Sequence, residues 1–245
     1  MRLICADYDS QALKDIESHL QSLLAPKNSH MDFNIACALH YASKGEGYRF
    51  NDEYFEDEAF KEDFDKITQV FESKVSVHRG EEMKKGNTKA KSFDYGMITA
   101  AVKRVDPNKY RTQEWIKGGE EGQGNAKVVF SGLGADEVFC GYARYKTSFE
   151  RGGIKEMEEE MGMDLDRLWH RNMGRDDRAI SDNGKEARFP FLDTQLMRYL
   201  GKHVESNDLA DWTAFRGLAD KKLLRVIAKE EFGIKFASLV EKRAI

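Results

Sequence analysis

The stretch that most restricts what this chain can fold into is Lys127-Val128-Val129-Phe130-Ser131-Gly132-Leu133-Gly134-Ala135-Asp136-Glu137-Val138-Phe139-Cys140-Gly141-Tyr142. Val128, Val129 and Phe130 are β-branched or aromatic, which suits a short central strand. Gly132 and Gly134 then allow a backbone that a side chain would obstruct, and let a ligand come close. A helix starts next, with Asp136 and Glu137 in its first turn. Amide groups at such a turn suit a phosphate, and Asp136 suits a divalent cation bridging phosphate oxygens. The same two acids also suit the first turn of any helix, where the dipole favours negative charge. The spacing alone leaves both readings open.

The chain has 245 residues, ample for a buried core. With 39 Lys and Arg against 43 Asp and Glu, the formal charge is −4, so nothing general attracts a polyanion and nucleic acid is not expected as a partner. Fifteen Phe, nine Tyr and three Trp argue against wholesale disorder. Cys5, Cys37 and Cys140 are scattered among apolar neighbours with no C-x-x-C pair, the pattern of buried thiols in a reducing, cytoplasmic setting. No metal-binding histidine motif and no long apolar run is present, so neither zinc nor a membrane is expected.

Along the chain, Leu3-Ile4-Cys5-Ala6 reads as a strand. Asp9 or Ser10 caps a helix carrying Leu13, Ile16, Leu20, Leu23 and Leu24. Ser29 and Asp32 have the S-x-x-D spacing that starts a second helix, largely apolar, with Gly45 at its end. Asp32 serves that cap or points into a site. Residues 46–94 are densely charged and read as a surface insertion, with helical spacing over 60–71. A further helix is expected over 95–105. Beyond Tyr142 the reading is helical almost to the end. Leu165, Leu168, Trp169 and Met173 form one face, and Arg171, Arg175, Asp176, Asp177 and Arg178 read most simply as a surface lattice of ion pairs. In Glu186-Ala187-Arg188-Phe189-Pro190-Phe191-Leu192-Asp193, Pro190 stiffens a turn between two phenylalanines, and Asp193 caps the next helix. The final helix spans Lys221 to Lys229.

Four of these segments, in order, resemble the asparagine synthetase family in its ATP-pyrophosphatase domain. Ser131-Gly132-Leu133-Gly134-Ala135-Asp136-Glu137 through Gly141-Tyr142 is similar to its S-G-x-G-x-D-E-x-F-x-G-Y segment. Asp177-Arg178 with Glu186 to Asp193 resembles its D-R and E-x-R-x-P-F-L-D pattern. Met31 to Ala36 is similar to its Y-D-x-x-x-I helix, and Glu241-Lys242-Arg243 to the start of its basic loop. The wording is most similar to eukaryotic asparagine synthetase domain-containing proteins. The resemblance implies an α/β fold with a parallel sheet, of the ATP-pyrophosphatase (adenine nucleotide alpha hydrolase-like) type, with a helical C-terminal half. It takes 1–245 as one such domain, incomplete.

The implied reaction is ATP-dependent amide formation from aspartate through an aspartyl-adenylate, a step of asparagine biosynthesis. Adenylation is needed because a carboxylate is a poor acyl donor, and the departing pyrophosphate needs Mg²⁺ and cations to spread its charge. ATP and Mg²⁺ are thus the implied cofactors, and ATP, aspartate and ammonia from a glutaminase domain not in this chain the implied small-molecule partners. Carried over, Ser131, Gly132 and Gly134 contact the nucleotide, Asp136 binds Mg²⁺, Lys242 meets the phosphate or acyl-adenylate, and Glu186 lies near the substrate end.

The departures point the other way. The family's S-G-G-x-D-S loop belongs before Leu3, and no S-G-G is present. Leu133 stands where the family carries a glutamate tied to adenylation. The isolated chain is therefore expected to be inactive. The alternative is a non-catalytic pseudoenzyme that serves as an interaction or nucleotide-binding module, and a different adenylating amidotransferase also fits the motifs.

Overall fold

A computed structural model describes residues 4–6, 8–25, 29–50, 111–117, 126–212, 219–234 and 238. The described residues fall into two compact units, 4–50 with 111–205 and 206–234 with 238. The expected helices over 60–71 and 95–105, most of the charged insertion and Lys242 lie outside the described residues.

In the first unit, β1 (Ile4–Cys5) leads to α1 (Ser10–Leu24), which starts where Asp9 accepts hydrogen bonds from the amides of Gln11 and Ala12. Helix α2 (His30–Lys44) starts on Ser29, whose hydroxyl accepts from the Asp32 amide. It stops at Gly45, which takes φ 68°, a left-handed conformation that glycine adopts at little cost. Strands β2 (Gly47–Phe50) and β3 (Arg111–Ile116) follow. They complete a three-stranded sheet in the order β1-β2-β3, antiparallel throughout. Strand β2 thus places the first residues of the expected insertion inside a sheet. Tyr8, Tyr41, Tyr48 and Trp115 stack beside it, Tyr8 on Tyr41 at 3.9 Å between centroids and Trp115 edge-on to Tyr48 at 5.0 Å.

Next come β4 (Val128–Phe130), a short helix α3 (Ala135–Val138), and the long α4 (Ala143–Leu168). Gly152 and Gly153 break the helical path of α4, Gly153 at φ 72°. A π-helical turn (Trp169–Met173) joins α4 to α5 (Gly174–Ser181). The half read as helical then yields a strand, β5 (Glu186–Arg188), which pairs parallel with β4. Local pattern could not reveal it, because three residues carry no readable period and the pairing partner lies nearly sixty residues earlier. Among the described residues, the parallel pairing expected of the whole sheet is confined to β4 and β5. After the short 3₁₀ turn Pro190–Leu192, Asp193 caps α6 (Thr194–His203) by accepting from the amides of Gln195 and Leu196.

The core of this unit forms where α1, α2 and α5 meet, with Leu24, Ala36 and Ala179 fully buried and Phe33 and Leu39 packed on them. The expected face of Leu165, Leu168, Trp169 and Met173 divides: Leu168 is buried, whereas Trp169 is 69% exposed. The wider π turn begins at Trp169 and departs from the 3.6-residue spacing on which that face was drawn.

In the second unit, α7 (Ser206–Leu209) packs near α8 (Lys222–Glu230). Arg225 fastens the latter by donating to the Asp220 backbone at 2.8 Å and the Ser238 carbonyl at 3.0 Å. Among the described residues, no helix is long and apolar enough to cross a membrane.

Candidate functional site

The carboxyl ends of β4 and β5 converge on the glycine turn. The register pairs Val128 with Glu186, Val129 with Ala187 and Phe130 with Arg188. One further bond, from the Ser131 amide to the Arg188 carbonyl at 2.9 Å, carries the pairing into the turn. Ser131 also bends the turn inward, its hydroxyl accepting from the Leu133 amide at 3.3 Å.

Gly132 and Gly134 do different work. A Cβ added at Gly132 would meet nothing within 4 Å, so the backbone there is open to a ligand. Gly134 takes φ +94°, and an added Cβ would fall 2.5 Å from Leu192 Cδ2. Glycine is therefore needed at 134 to seal the turn against the Pro190–Leu192 segment, and that segment is held in turn by Phe191 standing edge-on to Phe139 at 5.8 Å. The aromatic anchoring read from the sequence is present, and Leu192 is its unforeseen member. Leu133 is half-buried beside this seal.

Asp136 is half-buried, and its backbone carbonyl accepts from the Gly141 amide at 2.7 Å. A side chain at Gly141 would collide with the Asp136 carboxylate, which fixes why glycine stands there. Its neighbour Glu137 is buried and accepts from the Tyr142 hydroxyl at 2.7 Å. Burial first, then the bond to Glu137, pushes the Tyr142 hydroxyl above the ordinary tyrosine range. Behind it, Arg144 lies over the Tyr142 ring at 4.0 Å and pairs with Asp164. Asp164 also accepts from the buried Tyr145 hydroxyl at 2.8 Å. Glu137 therefore anchors the turn into the α4 core, while Asp136 stays nearer the surface.

Cys140 closes the turn at φ 57°, buried, with its thiol 3.2 Å from Met161 Sδ. Burial pushes that thiol up to about 12, so it stays protonated, as the apolar setting read from the sequence implied.

Glu186 sits at the other end of the strand pair. Opposite Val128, it is two strand residues short of the level of Phe130, about 7 Å at the usual rise. Its carboxylate is exposed and pairs with Arg188 at 2.9 Å. The register brings Arg188, rather than Glu186, level with the end of β4. Among the described residues, no group of three His, Cys, Asp or Glu is assembled to hold a metal.

The charged cluster on α5 is only in part the surface lattice that its sequence suggested: Asp177 and Arg178 are exposed, but its middle is not. Arg175 and Asp176 are buried. Arg175 donates to Asp176 at 2.7 Å and to Asp32 at 2.6 Å, while Ser29 donates to the other Asp32 oxygen at 2.6 Å. Asp32 is therefore both part of the α2 cap and a partner of Arg175, joining two motifs 143 residues apart. Arg178 donates to the Leu23 carbonyl and, at 3.4 Å, to the Ala25 carbonyl, satisfying the end of α1.

Strand β4 ends on the glycine turn and passes into a helix, beside the parallel strand β5, an α/β arrangement. The asparagine synthase family model matches residues 120–154, which contain this turn. The chain is 45% identical over 120 residues to asparagine synthetase domain-containing protein 1 of Gallus gallus, a match covering 49% of this chain and 19% of the relative. It is 45% identical over 123 residues to the Homo sapiens protein of the same name, covering 50% and 19%. A putative asparagine synthetase (glutamine-hydrolyzing) 1 of Methanocaldococcus jannaschii is 44% identical over 71 residues, covering 29% and 13%. This part of the chain is similar to the asparagine synthetase family, and in particular to its eukaryotic domain-containing proteins. It spans about a fifth of the length of those two animal relatives. No solved structure matches it.

Proposed function

We propose that Ser131 to Gly134 is the nucleotide-contacting turn of an asparagine synthetase-like domain, serving ATP-dependent amide formation from aspartate through an aspartyl-adenylate. The observation that carries this reading is the pair of glycines at the carboxyl end of a parallel strand pair, one sealed by Leu192 and the other facing open space. Conformation alone requires glycine at 134. At 132, open space around the missing side chain suits a phosphate approaching the backbone.

The residues present suit a nucleotide and its cation. Gly132 offers the approach, Ser131 and Gly134 shape the turn, and Asp136 supplies one carboxylate. Magnesium commonly takes one or two carboxylates and fills its remaining positions with phosphate oxygens and water. When bound, it would neutralise charge on the departing pyrophosphate. Lys242 would add a cation toward the phosphate or acyl-adenylate, and Glu186 would face the substrate end.

Leu133 favours a second reading, a module that binds nucleotide without turnover. An apolar side chain at the family's glutamate position performs no acid, base or electrostatic work.

Calorimetry of the full chain with Mg-ATP tests the first reading. Binding that falls at least tenfold in Gly132→Val, with unchanged melting temperature, is expected. No binding by the unaltered chain would sink it. Aspartate-dependent exchange of pyrophosphate into ATP then separates the two: exchange favours the synthetase, and binding without exchange favours the silent module.

A further inference from the structure

His40 lies on α2 in the first unit and is 3% exposed. Its Nδ1 is 3.2 Å from Asp182 Oδ2, at the C-terminal end of α5. The same carboxylate receives His19 Nε2 from α1 at 2.9 and 3.0 Å. The next residue, Asn183, donates its side-chain amide to the His40 carbonyl at 2.8 Å and to the Ser43 hydroxyl at 2.9 Å. Both amide hydrogens are thereby used. The 3.4 Å approach of Asn183 to Nδ1 then needs no further hydrogen, and the carboxylate calls for a proton on Nδ1. This assigns the Nδ1–H tautomer and leaves a lone pair on Nε2. That nitrogen is buried and has no hydrogen-bond partner among the described residues.

We propose that His40, Asp182 and His19 form a proton-sensitive clasp that holds α1 and α2 to the turn between α5 and β5, closed while the His40 ring is neutral and released when it is protonated.

A bare lone pair is a modest burden in a buried ring. A second N–H at the same place would bury a positive charge at a nitrogen that makes no hydrogen bond in this geometry, a cost that the nearby Ala179 backbone only partly offsets. The charged neighbours among the described residues enter that balance. Asp182 favours the cation, as does the Ala179 backbone of α5, while Lys44 on α2 and His19 on α1 oppose it. The ring of Tyr41 stands edge-on at 5.4 Å and is neutral at these pH values. Burial is the largest influence, and the outcome is an imidazole held below its ordinary range.

The sign follows from linkage. The unfolded histidine gains its proton near pH 6.5, whereas the folded ring takes it up only at lower pH. Acid therefore draws the equilibrium toward the open form, by up to about tenfold per pH unit below that point, until the folded ring also titrates. The turn that would be freed is local and hydrogen-bonded, Asn183 N to the Ile180 carbonyl at 3.2 Å and Gly184 N to the Ser181 carbonyl at 2.8 Å.

Denaturant unfolding of the full chain at pH 7.5 and 5.5 tests the clasp against His40→Gln. The unfolding constant of the unaltered protein should rise several-fold more than that of the variant across this interval. Equal rises would overturn the proposal. Nitrogen NMR of the histidine rings provides a measurement that needs no variant. A neutral His40 ring with its proton on Nδ1, taking up a second proton at lower pH than a free imidazole, is expected. A ring that titrates near pH 6.5 while the amides of Asn183 and Gly184 keep their protection overturns the clasp.

Discussion

The glycine turn and the junction of α1, α2 and α5 are both rich in polar groups, yet they use them in opposite ways. At the junction, Arg175, Asp176, Asp32 and Ser29 are joined by hydrogen bonds, and Arg175 and Asp176 are buried, so their pairing cannot be replaced by water. At the turn, Ser131 and Gly134 are committed internally while Gly132 faces open space. Motif residues in one protein can thus be kept for different reasons. Internal saturation marks a structural seam, and an open backbone beside a sealed one marks room for a ligand.

The sharpest break of this comparison is Arg175→Leu. It removes the guanidinium from the buried Asp176 and from the half-buried Asp32, and loss of one member of a buried ion pair costs about 3–5 kcal/mol. Denaturant unfolding should register that loss, and a change below about 1 kcal/mol would mean that the junction is not a seam. Gly134→Ala comes next. Its left-handed backbone and the Leu192 contact together predict a destabilisation of about 2–3 kcal/mol, read as a lowered melting temperature.

Tyr142→Phe leaves the buried Glu137 without its donor and should cost about 1–2 kcal/mol by chemical denaturation. The same tyrosine gives a pH signature. Because the fold holds its hydroxyl above the ordinary range, the unfolded chain loses that proton first as pH rises past about 10. Tyr142 should therefore make stability fall above pH 10, and the fall should be shallower in the phenylalanine variant. The smallest stability effect belongs to Gly132→Ala, within about 0.5 kcal/mol, because its Cβ meets nothing. If that variant unfolds the protein, the contrast between the two glycines fails.

Much of the local structure was legible beforehand. Asp9, Ser29 and Asp193 cap helices and Gly45 ends one, as their residue types implied, because a cap is a hydrogen bond across two or three residues. The turn at Gly132 was visible too, as was its aromatic support through Phe191. Strand β5 was not, since three residues in a charged and aromatic context carry no period and become a strand only against β4. Nor did spacing show that Trp169 faces outward.

By itself, the sequence determined the caps, the glycine turn and the family motifs, all of which depend on interactions within a few residues or on residue identity. Tertiary structure alone decided which charges are buried, which glycine is sealed and which is open, and that His40 meets Asp182. The physical reason is distance along the chain: Arg175 meets Asp32 across 143 positions, and Gly134 needs Leu192 to reveal why it is glycine. Composition cannot distinguish a solvated arginine from a buried one until the fold removes the water.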